Sequence, residues 1–192
     1  VARRILDDNG LQAVRLERVS GDLTDHYDPK ANVIRLSDSV YNSASVASIG
    51  VAAHEAGHAV QHAVGYVPIK LRNAVLPVAN IGSAAAMPII VIGLLLSFEP
   101  LVSIGILLFS ALVLFQLITL PVEFNASRRA LATLRDSHIL EGKELSGARR
   151  VLSAAAMTYV AAVLAGMQAG VAAVIVDVVL NLGAGVLKEK RM

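Results

Sequence analysis

The sequence contains no cysteine, which excludes a disulfide framework, a thiolate metal site and a cysteine nucleophile. Any bound transition metal must therefore be held by histidine, aspartate or glutamate side chains. Aromatic residues make up only 4% of the chain, and the formal net charge is +2. This composition lacks the basic, aromatic-interleaved pattern typical of nucleic-acid-binding domains, so we expect no nucleic-acid partner.

Apolar residues are abundant by comparison. They form 55% of the 192 residues, above the roughly 45–50% of ordinary soluble domains. No charged residue lies between Arg72 and Glu99 or between Glu99 and Glu123, and each run is longer than the roughly 20 residues that cross a bilayer as a helix. Residues 73–122 are therefore predicted to form a transmembrane helical hairpin that turns at residues 98–100.

The distribution of positive charge predicts the orientation of this hairpin. Basic residues flank its open end, namely Lys70, Arg72, Arg128, Arg129 and Arg135, whereas its turn has none. Because positively charged flanks remain in the cytosol, we expect the open end to face the cytosol. A third apolar region, 151–192, predicts either one membrane helix or a second hairpin turning near residues 166–170, and it ends in a basic tail. The hairpin is favoured, since it would return that tail to the cytosol.

The polar region over residues 1–72 predicts a small catalytic unit. A short helix is expected over Ala2–Asp8, and alternating apolar residues over 14–19 and 33–36 predict a β-hairpin. A helix is expected over 43–64 and should end at Gly65.

Within that helix, His54, Glu55 and His58 form the pattern H-E-x-x-H. The two histidines lie on one helical face, about 6 Å apart along the axis, so both can reach one metal ion. Glu55 can deprotonate a water activated by that metal and later protonate a leaving amine. The motif also follows directly after a candidate edge strand, on which an extended peptide substrate could pair.

A catalytic zinc ion needs a third protein ligand. His62 lies about 12 Å from His54 along the helix axis, which is too far for both to bind one ion. Glu123 is the third ligand that we predict, because it begins a polar helix where the second apolar run ends. Ser127 shares its helical face and is expected to hydrogen-bond a ligand histidine.

Other polar residues receive weaker assignments. His138, Arg128 and Tyr159 are alternative donors that could stabilise a tetrahedral oxyanion. His26 lies in a turn that favours a hydrogen-bonded loop rather than a second metal site, and Asp177 is assigned no role.

Three blocks resemble one known family. Residues 23–29 (LTDHYDP), 52–62 (AAHEAGHAVQH) and 120–130 (LPVEFNASRRA) closely resemble the YugP-type "putative neutral zinc metallopeptidases" of bacterial membranes, over roughly residues 1–165. This resemblance implies a zinc-dependent integral membrane protease, and we expect an N-terminal anchor upstream of the sequence. More distantly, the block around Glu123 resembles the third-ligand helix of HtpX-type and CAAX-processing membrane proteases, in which aspartate is usual at the position of Ser127.

The sequence thus predicts a mainly α membrane protein that combines a zincin-like H-E-x-x-H helix, a small β-hairpin and one or two transmembrane helical hairpins. Its predicted regions are 1–72, 73–122, a third-ligand helix with a connector over 123–150, and 151–192. We expect zinc-dependent hydrolysis of peptide bonds in protein substrates at the cytosolic face of a bacterial plasma membrane. The alternatives are a non-catalytic scaffold or partner-binding protein, for which Glu55 is dispensable, and a site-2-type intramembrane protease.

Overall fold

The computed structural model describes the backbone of residues 1–189 and the side chains of residues 1–175 and 178. Its helices are α1 (Ala2–Asp8), α2 (Asp38–Tyr41), α3 (Val46–Ala63), α4 (Val67–Leu95), α5 (Glu99–Asp136) and α6 (Gly142–Glu189), and its strands are β1 (Arg15–Val19), β2 (His26–Asp28) and β3 (Val33–Ser37). The chain divides into two compact units. The first combines Val1–Lys70 with Leu120–Thr158, and the second combines Leu71–Thr119 with the chain from Tyr159 onward.

The sheet of the first unit differs from the predicted hairpin. Its order is β1-β3-β2, and β1 pairs with β3 in parallel rather than antiparallel orientation. The reason is β2, which lies in the segment that the sequence pattern assigns to a turn and which reverses the chain before β3 begins. The true hairpin joins β2 to β3, and Asp28 Oδ1 stabilises its turn by accepting hydrogen bonds from the backbone N–H groups of Lys30 and Ala31.

The position of β3 also corrects the predicted edge strand. The strand that precedes the H-E-x-x-H helix in sequence is β3, which occupies the centre of the sheet, so its backbone groups are already paired on both sides. The edges of the sheet are β1 and β2. Of these, β2 contacts α3, since the rings of Tyr27 and His62 meet edge-on at 6.1 Å.

Helices α1 and α3 confirm the predicted pattern closely. Helix α1 covers the predicted residues, and α3 begins after Ser45, whose side chain accepts a hydrogen bond from the Ser48 backbone N–H. Gly65 follows the end of α3 with φ of 65°, a left-handed conformation that glycine adopts without steric cost. Small alanines on the buried face of α3 pack with apolar residues of α1, β3, α5 and α6 into one core, which includes Ala53, Ala56, Ile5, Ile34, Leu134 and Leu152.

In the second unit, the predicted hairpin of α4 and α5 is present. Glycines let the two helices approach closely, as a Cβ added to Gly82 would lie 2.7 Å from the Leu108 carbonyl oxygen. Small residues at such contacts are typical of helix packing in membranes. Three helices are long and apolar enough to cross a membrane, namely α4, α5 and α6 over its described residues Gly142–Ile175.

The favoured second hairpin is wrong, because α6 is a single continuous helix. Gly166 and Gly170 do not end it. A Cβ on Gly166 would lie 3.1 Å from side-chain atoms of both Val113 and Gln116, so these glycines serve close packing on α5 rather than a turn. The side chain of Asp177 and the basic tail lie outside the described side chains.

Candidate metal centre

Three ligand-type side chains of the first unit converge on one point. His54 Nε2 lies 3.2 Å from Glu123 Oε2, His58 Nε2 lies 3.1 Å from His54 Nε2, and His58 Nε2 lies 3.7 Å from Glu123 Oε2. These atoms therefore form a nearly equilateral triangle. Among the described residues, this is the group of histidine, aspartate and glutamate side chains arranged to hold a metal ion.

The triangle matches the ligand geometry of zinc. Tetrahedral zinc has bonds of about 2.0–2.2 Å to nitrogen and oxygen ligands, which places neighbouring ligand atoms about 3.3–3.6 Å apart. The three measured separations bracket this range. Two imidazoles and one carboxylate also form the ligand set of a catalytic zinc site, which leaves the fourth position open.

Helix α3 supplies both histidines and α5 supplies the carboxylate, so the site depends on how closely these helices approach. Gly57 sits between the two histidines and faces α5. A Cβ added there would lie 2.8 Å from the Ala126 carbonyl oxygen and 3.4 Å from Ala126 Cα. Gly57 therefore permits the backbone contact that brings Glu123 within reach of the histidines.

Replacing Gly57 should separate the helices. Because the clash of Gly57→Ala is with backbone, no side-chain rotation relieves it, and we expect a loss of about 1–3 kcal/mol in the free energy of unfolding. Zinc affinity should fall by about 10-fold or more, as it does when ligand orientation is disturbed.

Gly50→Ala is the matched control for that prediction. It lies on the same helix, and its added Cβ would make only ordinary contacts of 3.7–3.9 Å with Ala148 and Leu152. It should keep wild-type zinc affinity and gain up to about 1 kcal/mol from helix propensity. Thermal unfolding and zinc titration measure both effects, and equal behaviour of the two variants would contradict the proposed role of Gly57.

The second nitrogen of each histidine also has a partner. Ser127 Oγ lies 3.1 Å from His54 Nδ1, which is the contact expected from its place one turn after Glu123. Gln61 Oε1 lies 3.0 Å from His58 Nδ1. Such contacts hold the rings in place so that both Nε2 atoms point towards one position.

Burial shapes the electrostatics of the site. Glu123 is 4% exposed and Glu55 is 8% exposed, so two carboxylates and two imidazoles share a region with little water. Burial alone would lower the pKa of His58, but its hydrogen bond to Glu123 and the nearby charge of Glu55 outweigh that effect and raise the pKa. The same excess of negative charge favours a divalent cation at this place.

Glu55 lies on α3 next to His54 and is buried. Within the described part of the chain its carboxylate oxygens have no hydrogen-bond partner, so they are available to a water molecule in the site. Its charge acts on His58, which places it within electrostatic reach of the triangle.

The structure does not bring every predicted residue to this site. His138 lies beyond the end of α5, about 20 Å along the helix from Glu123, and it pairs with Glu141. Arg128 is exposed. Tyr159 belongs to the second unit, and its assignment as an oxyanion donor stays a prediction. His26 begins β2 instead of lying in the predicted loop, and its Nδ1 lies 2.7 Å from the Thr24 carbonyl oxygen.

Gln61 is a residue that the sequence interpretation missed. It is fully buried and touches His58 directly. Its spacing of three residues from His58 is the available signal, because residues i and i+3 share a helical face. A glutamine on a helix that also carries apolar residues is easily read as a solvent-facing polar residue.

Known proteins resemble this chain over most of its length. A family model described as "Putative neutral zinc metallopeptidase" matches residues 1–176. The "Putative membrane protease YugP" of Bacillus subtilis (strain 168) is 52% identical over 163 residues, which cover 85% of this chain and 72% of that protein. No solved structure matches the chain. The family match includes every residue of the candidate metal centre.

Proposed function

The chain belongs to the family of putative neutral zinc metallopeptidases, and from this premise we propose that it is an integral membrane protease with zinc held by His54, His58 and Glu123. Its reaction is the hydrolysis of peptide bonds in protein substrates. The site is zincin-like, with two histidines on one helix and a glutamate ligand from a second helix. The observation that carries the proposal is the triangle of ligand atoms, 3.1–3.7 Å on each side.

The chemistry divides between the metal and Glu55. When bound, zinc supplies a Lewis acid that polarises a carbonyl group and lowers the pKa of water. Glu55 accepts a proton from the attacking water while the water oxygen forms a bond to the peptide carbon. The same carboxyl group then donates that proton to the peptide nitrogen, and the C–N bond breaks to release an amine and a carboxylic acid, which passes its remaining proton to the amine or to solvent.

Substrate binding is proposed at β2. This strand is an edge of the sheet and contacts the helix that carries both histidines. An extended peptide can add to such an edge through main-chain hydrogen bonds. A peptide held there would lie alongside α3 with its backbone in the extended form that proteases cleave.

The membrane setting of the proposal has two supports. Three helices are long and apolar enough to cross a bilayer, and the relative from Bacillus subtilis is named a membrane protease. We infer that residues 73–122 form a membrane-embedded hairpin and that residues 1–72 and 123–150 form the catalytic region. The basic flanks of the hairpin favour a catalytic region on the cytosolic side. The membrane that holds the hairpin is proposed to be a bacterial plasma membrane.

An intramembrane, site-2-type protease is less well supported. Helix α3 is not among the described helices that are apolar and long enough to span a membrane. It packs in one core with α1 and the sheet, and the surface of that sheet is rich in ion pairs such as Arg35–Asp28. These surroundings support a position of the H-E-x-x-H helix outside the bilayer.

Metal removal tests the proposed function. The detergent-purified chain is expected to cleave an unfolded test protein such as casein, to lose this activity when a chelator removes zinc, and to recover it when zinc is returned. The measurement is product formation beside elemental analysis of zinc on the same samples. Cleavage that continues at the original rate after the zinc has been removed would show that zinc does not take part in the reaction.

A further inference from the structure

A buried polar network extends from His58 away from the metal centre. Gln61 Oε1 contacts His58 Nδ1 at 3.0 Å, and Gln61 Nε2 donates to the Val122 carbonyl oxygen at 2.8 Å and to Asn125 Oδ1 at 3.0 Å. Asn125 Oδ1 also accepts a hydrogen bond of 2.8 Å from Arg129 Nε. All of these residues belong to the first unit, and the network links α3 to α5.

The outer end of this network dictates the orientation of each amide. Arginine can only donate hydrogen bonds, so Asn125 must turn its oxygen, not its nitrogen, towards Arg129. Gln61 then faces an oxygen of Asn125 and the oxygen of the Val122 carbonyl. Both neighbours only accept, and Gln61 must therefore direct its –NH₂ group to them.

The inner end follows from the same logic. With its –NH₂ group committed, Gln61 presents its oxygen to His58. An oxygen acceptor requires a proton on His58 Nδ1, and in a neutral imidazole the other nitrogen, Nε2, then carries the lone pair. His58 Nε2 is the atom that points into the triangle of ligand atoms.

We propose that Gln61, Asn125 and Arg129 are positioning residues that hold His58 in the tautomer able to bind the metal. This inference rests on the proposed function, because it concerns a proposed zinc ligand. The residues act through His58 and touch neither substrate nor metal.

His54 provides an internal contrast. Its Nδ1 partner is the Ser127 hydroxyl, which can donate or accept and rotates to suit. Ser127 therefore holds the His54 ring without selecting its tautomer. The network of Gln61 and Asn125 does select a tautomer of His58, because it ends at the guanidinium of Arg129, which only donates hydrogen bonds. Substitutions of Gln61, Asn125 or Arg129 should consequently change the tautomer of His58 more than removal of the Ser127 hydroxyl changes that of His54.

Asn125 offers the sharpest test, because two replacements of similar size distinguish the effect of its acceptor oxygen from the effect of its volume. Asn125→Asp keeps an oxygen for both Gln61 and Arg129, and it should bind zinc within about threefold of the wild type. Asn125→Leu removes the acceptor and should weaken zinc binding by about 10-fold, at the lower end of the range for outer partners of a metal ligand. The Val122 carbonyl still orients Gln61 in that variant, which limits the loss.

Gln61→Met removes the contact with His58 itself and should weaken zinc binding by about 10–100-fold. Arg129→Met should behave like Asn125→Leu. Its matched control is Arg135→Met, which changes an exposed arginine on the same helix that pairs with Asp136 and should keep wild-type affinity.

Zinc affinity by competition with a chromophoric chelator is the first readout, and thermal unfolding verifies that each variant is folded. The ¹⁵N chemical shifts of histidine rings in the labelled zinc-free protein, at a pH at which the imidazoles are neutral, provide the second, because they report the tautomer before zinc bound to Nε2 fixes a proton on Nδ1. The proposal is supported if Asn125→Leu weakens zinc binding, Asn125→Asp retains it, and the Nδ1–H form of His58 is less populated in Asn125→Leu than in the wild type and Asn125→Asp.

Two results would overturn the inference while leaving the proposed function intact. In the first, zinc binds folded Asn125→Leu and Gln61→Met with wild-type affinity. In the second, Asn125→Asp is as weak as Asn125→Leu, which would assign the effect to packing rather than to the acceptor. A wild-type chain that binds no zinc would instead overturn the proposed function, and with it this inference.

Discussion

Glu55→Gln is expected to lower kcat for peptide hydrolysis by about 10²–10⁴-fold, the usual contribution of a general base, while one zinc ion per chain remains bound. The replacement has nearly the same shape and keeps an oxygen that can hydrogen-bond water. It cannot accept a proton, so the attacking water must lose its proton without help. Because Glu55 is not part of the triangle of ligand atoms, metal content should not change.

The measurement is the cleavage rate of an unfolded test protein, beside elemental analysis of the same samples. Glu144→Gln is the matched control, since it removes a carboxylate from an exposed position in the first turn of α6, and it should cleave as fast as the wild type. A Glu55→Gln protein that holds zinc and retains the wild-type rate would rule out the proposed base. It would also favour the alternative of a zinc-containing membrane scaffold.

Glu123→Ala is expected to lose zinc, with an affinity reduced by more than about 100-fold, beyond the range seen for outer partners of metal ligands. Two effects combine. The triangle loses its one anionic ligand, whose oxygen lies 3.2 Å from His54 Nε2, and the remaining pair of histidines is the ligand set of neither a structural nor a catalytic zinc site. Zinc content after dialysis against metal-free buffer measures the loss directly.

His58→Ala should lose zinc to the same extent, because it removes a vertex of the same triangle. Glu123→Gln separates charge from packing. Its amide oxygen is a weaker ligand, so a zinc affinity between those of the wild type and Glu123→Ala is expected. If Glu123→Ala keeps its zinc while His58→Ala loses it, the third ligand is another residue, and the triangle would describe a histidine–carboxylate hydrogen bond instead.

The candidate site combines residues of α3 and α5, which are distant in sequence. The histidines on α3 were therefore easier to predict than the carboxylate on α5. His54 and His58 share one helix, where the period of 3.6 residues alone places them on one face. Glu123 lies 69 positions from His54 in the sequence, so local periodicity carries no information about their distance. Its prediction depended on the reasoning that the apolar hairpin returns the chain to its starting side, and α4 and α5 do form that hairpin.

The failures of sequence interpretation have a common physical origin. Parallel pairing of β1 with β3 depends on β2, a strand of three residues that is too short to produce an alternating pattern. Gly166, which in isolation indicates a break, lies inside the continuous helix α6 with Val113 and Gln116 of α5 packed close to it. In both cases a neighbour distant in sequence overrides the local preference.

By itself, the sequence determined the candidate ligand types, their helical spacing and the lengths of the apolar runs, because these are properties of adjacent residues. The H-E-x-x-H helix, the absence of thiolates and the helical hairpin all follow from such local patterns. Only the tertiary structure decided which atoms meet. The order of the strands, the close approach at Gly57 and the link from Arg129 through Asn125 and Gln61 to His58 require two segments to pack together. The free energy that stabilises these arrangements comes from packing contacts between the two segments, which neither segment makes alone.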